Sequence, residues 1–260
     1  MELAFLVEVS DNISVTMQYL RFVFGKETEA YYIYQSLKSP SSISPKRSRQ
    51  SNGVSSGLLE KIGKSQSFEE IEKDILQLVN SDYKTLLPFI EKSRQLYKES
   101  WDEINDAFFK RAEEITNHRW RYQKYECVLS NYHKGISNWG TSNTIVRSWK
   151  ENPYTQRRIT AHELLISHYF DYFRSKHSNE TLKDGEIWQL AEIAAWAITG
   201  LDSEMLKLWP WDGSGYYTNH NYPHLVKLQL ALKEPFVNRK SFDEYVRIAI
   251  VKLKGAKQSG

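Results

Sequence analysis

The 260-residue chain sets 35 Lys and Arg against 32 Asp and Glu, a formal net charge of +3, with 40% apolar and 26% charged residues. That length provides a sizeable core without a disulfide or metal staple, the composition excludes a disordered chain, and the balanced charge gives no global signature of a phosphate or lipid-headgroup partner. A single cysteine, Cys127, excludes an internal disulfide and fits a reducing compartment, and no run reaches the roughly 18 apolar residues that span a bilayer, so a cytoplasmic protein without a membrane partner is expected.

Residues 1–9 are apolar but short and lack a basic flank, which makes a poor secretory signal. Leu3, Phe5 and Val7 alternate as in a strand, and Ile13, Met17, Leu20 and Phe24 then recur at helical spacing, so a helix over 13–24 is expected. Residues 36–66 are rich in Ser, Pro, Gly and Lys and read as a mobile excursion with a short helix at 58–62. Ser67 and Glu70 have the spacing of a capping box, opening a helix whose apolar face is Ile71, Ile75, Leu78 and Val79. A second helix, with Pro88 at its start, is expected to run to Ile115 on Ile90, Leu96, Trp101, Ile104, Phe108 and Phe109. Residues 125–130 and 144–149 are β-rich, and Cys127 within the first reads as a small buried hydrophobe. Helices follow over 158–175 and 186–199, the second closed by Gly200. After them come an aromatic, Pro- and Gly-containing loop over 209–222 and two last helices at 222–233 and 241–254.

The chemistry lies in the 158–196 stretch. Thr160-Ala161-His162-Glu163-Leu164-Leu165-Ile166-Ser167-His168 begins like H-E-x-x-H, in which two imidazoles one helical turn apart chelate zinc and the adjacent glutamate acts on the bound water. The fifth position here is Ile166. His168 lies six residues past His162, about 120° round a regular helix and about 9 Å along it. With no Pro or Gly between Ala161 and Phe173, the helix is expected to stay regular, with Ile166 on the His162 face and His168 elsewhere.

Thirty residues after His162, Trp188-Gln189-Leu190-Ala191-Glu192-Ile193-Ala194-Ala195 resembles the second signature of the gluzincin zinc metallopeptidases. The resemblance covers roughly residues 125–200. It implies an α+β, mainly α protein with a zincin-like core over 119–200, a small sheet packed on the His-Glu helix and a glutamate helix, and a C-terminal loop and helices over 201–254. It also implies His162 and Glu192 as metal ligands, Glu163 as the catalytic base, and Tyr217, His220 or His224 from the aromatic loop as donors to a developing oxyanion. With Ile166 in place of a ligand the set is one short of the three protein ligands that zinc ordinarily takes, so a metallopeptidase-like protein with no zinc bound as purified is expected. The residues alone fit a plainer role equally: Ile159, His162, Glu163, Ile166, Phe170 and Phe173 form one core-facing stripe, and a carboxylate such as Glu192 on an apolar helix calls for a ligand or a buried pair.

Two other classes remain open. A non-catalytic descendant would bind a peptide or protein through an aromatic cleft. The interleaved cations and aromatics of residues 118–125, with Lys46 and Arg47, fit a single-strand nucleic-acid site more weakly.

Overall fold

The computed structural model describes residues 18–38, 54–131, 135–138, 140–209 and 223–258. Helix dominates, and four strands form one mixed sheet, so the α+β, mainly α reading holds at that level.

Strand β1 (Tyr19–Val23) is the first element described, where a helix was expected. Leu20 and Phe22 are buried while Tyr19 and Arg21 are exposed, so period two governs over the coincident 3/4 spacing of Leu20 and Phe24. Short apolar runs fit either period, and here the partner strand decides. Helix α1 (Lys26–Lys38) follows, unexpected from the pattern, then α2 (Ser56–Lys64), which includes the expected 58–62 segment and is capped by Ser55 Oγ.

Helix α3 (Glu72–Asp102) runs uninterrupted through Pro88, correcting the expected break there. Leu87 and Phe89 beside it are exposed, so the carbonyl that proline leaves unpaired faces water, which lowers the cost of an interior proline. The break comes instead at Glu103 and Ile104, before α4 (Asn105–Thr116), which ends on Asn117 in the left-handed region at φ 47°. The capping box does not form at Ser67 either: Glu70 accepts the Gln66 N–H, and α3 starts after Ile71 without a side-chain cap.

Strand β2 (Lys124–Ser130) is central. β1 and β4 (Thr144–Ser148) pair with it in parallel, and the short β3 (Gly135–Ile136) pairs antiparallel with β4, giving the order β1-β2-β4-β3. A central parallel strand is covered on both faces, and Tyr125, Cys127, Val128 and Leu129 are accordingly buried.

Helix α5 (Pro153–Lys176) begins five residues before the expected Arg158, because Asn152 caps it by accepting the Tyr154 and Thr155 N–H groups and Pro153 fits the first turn. Helix α6 (Asp184–Leu201) contains Gly200 rather than ending before it. Asp202 stops it and caps α7 (Ser203–Leu206) through the Glu204 and Met205 N–H groups. Helices α8 (Pro223–Val237) and α9 (Phe242–Gln258) close the chain. Helices α5 and α6 pack side by side, with Leu164, Leu165, Phe173, Leu190, Ile193 and Trp196 buried.

Candidate functional site

The α5/α6 pairing brings the two halves of the sequence motif together. His162 Nε2 lies 2.9 Å from Glu192 Oε2, and the two side chains are 5% and 9% exposed. A carboxylate only accepts, so the imidazole donates from Nε2. A nitrogen that carries this proton has no lone pair for a metal, so coordination through Nε2 would require the hydrogen bond to be given up.

Ile166 stands one turn from His162 on the same face of an uninterrupted α5 and is 1% exposed within the core. His168 points away. Its ring lies over Trp120 at a centroid distance of 4.2 Å and beside His118 at 5.3 Å. Thr116 Oγ1 donates to the Ala112 carbonyl, so at 2.9 Å from His168 Nε2 it accepts, which fixes the proton on Nε2 of this ring too. Burial, and then the neighbouring His118, push the His168 pKa down to about 3. It is a neutral core residue and is not brought to the His162–Glu192 pair, as the helical geometry predicts.

Glu163 occupies the next position round α5 and faces the sheet. Its Oε1 is 3.9 Å from Nη1 of Arg147 on β4, whose side chain is 3% exposed and also bonds Glu151. One buried guanidinium therefore sits between two carboxylates. Cys127 lies against the same group, and burial pushes its thiol well up despite Arg147, so it is the inert buried hydrophobe expected. Arg147 was not singled out from the sequence. Its one signal is its place in Ile145-Val146-Arg147-Ser148, a buried strand that admits a cation only with partners.

Tyr217 and His220 lie outside the described residues, as does most of the aromatic loop; Trp209 at its start is buried and donates to the Thr199 carbonyl. His224 falls in the first turn of α8, but its side chain is also outside them. Among the described residues no three His, Cys, Asp or Glu side chains converge as a metal site requires, so His162 and Glu192 alone do not fit a zinc centre. In the basic-aromatic stretch, Trp120 and Tyr125 are core residues packed on Phe109, and Arg121 pairs with Asp171. Those two rings are not offered to bases. Lys46 and Arg47 lie outside the described residues.

No protein-family model, curated protein or solved structure matches the chain. Among the described residues no helix is long and apolar enough to cross a membrane.

Proposed function

We propose that the chain is a metallopeptidase-like protein of the gluzincin type whose zinc site has degenerated, leaving a non-catalytic fold. The observation that carries this reading is the 2.9 Å contact between His162 and Glu192, thirty residues apart on two helices, with Ile166 buried one turn away. Two residues that the paired motif would assign to one metal lie in direct contact and bond each other instead. The third donor has become an aliphatic side chain. Glu163, the base in the resemblance, is engaged by Arg147.

The test is metal analysis and peptide hydrolysis on untagged protein. The reading expects no stoichiometric zinc and no hydrolysis of denatured casein after incubation with zinc. Near-stoichiometric zinc lost in His162→Ala, or hydrolysis lost in Glu163→Gln, would replace it with an active enzyme.

A further inference from the structure

The +3 balance of the whole chain hides a local excess. Residues 223–258 carry eight Lys and Arg against three Asp and Glu, which leaves the rest of the chain net acidic. This stretch is the hairpin of α8 and α9, in which a connection over 238–241 folds one helix back on the other, with the Phe236 and Tyr245 rings 5.3 Å apart. Both helices also pack on α6. Their inner faces are buried, through Leu225, Leu232 and Phe236 on α8 and Val246, Ala249 and Leu253 on α9.

The outward faces combine free cations with exposed aliphatic side chains. On α8, Lys227, Leu230, Lys233 and Val237 follow one another at steps of three or four residues, and on α9 Arg247, Val251 and Lys254 do the same, so each set shares one helix face. Leu230, Val237 and Val251 are 67%, 59% and 70% exposed, and of the other large hydrophobics described only Phe89, at 60%, is exposed to that degree. Arg247 is paired with Asp243 and Lys254 with Glu180. Lys227, Lys233, Lys240 and Lys252 are exposed and enter no ion pair among the described residues. Of the three acids in the hairpin, Asp243 is also held by His177, Glu244 accepts the Lys240 N–H, and Glu234 alone is exposed. Positive charge is left over for an external partner. We propose that this face docks on an anionic lipid surface, with the hairpin lying in the plane of the headgroups, its lysines on the phosphates, and Leu230, Val237 and Val251 entering the acyl boundary. No spanning helix is needed for such a contact. A nucleic acid offers the same phosphates, but it leaves the three aliphatic side chains in water and finds no ring to stack on, since Phe236, Phe242 and Tyr245 are buried. This docking is independent of the fate of the zinc site.

The test is co-sedimentation of the full chain with vesicles of phosphatidylcholine and phosphatidylglycerol, about two to one, against vesicles of phosphatidylcholine alone. Binding is expected to the anionic vesicles only, and it should fall steeply with added salt. Lys227→Glu/Lys233→Glu, checked for native circular dichroism, should partition at least about tenfold more weakly, since each lysine near such a surface is worth roughly fivefold. Leu230→Ser/Val237→Ser/Val251→Ser keeps every charge and should also bind several times more weakly. No binding to the anionic vesicles, equal binding to both kinds, undiminished binding by either variant, or displacement of the chain from the vesicles by duplex DNA at equal phosphate concentration overturns the proposal.

Discussion

His162 Nε2 and Glu192 Oε2 meet at 2.9 Å across the α5/α6 interface, nearly shut off from solvent. A buried polar pair of this kind is costly to break and cheap to replace, because removing one partner strands the other while an apolar pair of similar volume strands nothing. Glu192→Leu and His162→Leu are each expected to lower unfolding free energy by about 2–4 kcal/mol. The double variant should lose clearly less than the sum. Urea denaturation of the four proteins checks it, and additive losses would mean that the contact carries no coupling.

Much of this pair was legible in the sequence, for a physical reason. Helix α5 has a fixed 100° step and no breaker between Ala161 and Phe173, so the separation of His168 from His162 follows from geometry alone. Glu192 on an apolar helix needed a partner, and His162 supplies it. The role of Arg147 was hidden, since which carboxylate a buried cation meets depends on strand order and helix packing. The errors at β1 and Pro88 share a cause: local pattern and breaker residues yielded to tertiary context, a sheet partner in one case and a wet helix face in the other.

Gly140 sets how closely the loop after β3 approaches α5. It has φ +73°, and a Cβ there would come within 3.1 Å of the Ser167 carbonyl oxygen and 3.2 Å of the Asp171 nitrogen. Both the backbone conformation and the contact with helix backbone oppose a side chain. Gly140→Ala is expected to cost about 2–3 kcal/mol, read as a lower urea midpoint at unchanged slope. A loss below about 0.5 kcal/mol would show that the loop is not held against α5.

His168 gives a signed pH dependence. Its folded pKa, about 3, lies below the ordinary value near 6.5 because burial and His118 disfavour the cation. The unfolded chain therefore binds the proton first, so this stability is fully present above about pH 6.5 and is lost progressively as pH falls towards 3. The slope from this one residue is at most about 1.4 kcal/mol per pH unit. His168→Gln should flatten the fall in unfolding free energy between about pH 6 and 4. An unchanged slope would place His168 in a solvated setting.

Arg111 and Asp202 tie α4 to the α6/α7 junction through two hydrogen bonds of 3.0 and 2.8 Å. Burial raises the Asp202 pKa, but Arg111 and the N–H groups of Met205 and Glu204 outweigh it and hold the carboxyl below its usual value. That contribution is present above the ordinary Asp pKa near 3.9 and disappears as pH falls through the lower folded value. With Arg111 about a third exposed, Asp202→Asn is expected to cost about 1–2 kcal/mol at pH 7. Thermal melts at pH 7 and pH 3 check this, because the variant's deficit should shrink at the lower pH.

In the proposed reading His162 and Glu192 are two of the three ligands of a lost metal site, and Ile166 occupies the position of the third. Isothermal titration of zinc into untagged Ile166→His tests it most directly, with His162→Ala/Ile166→His as the control and circular dichroism confirming the fold of both. One zinc per chain is expected for Ile166→His, with an affinity at least about a hundredfold above that of the parent chain and lost in the control, since a third ligand one helix turn from His162 completes the set. A natively folded Ile166→His protein that binds zinc no better than the parent, or binds it equally without His162, would contradict it.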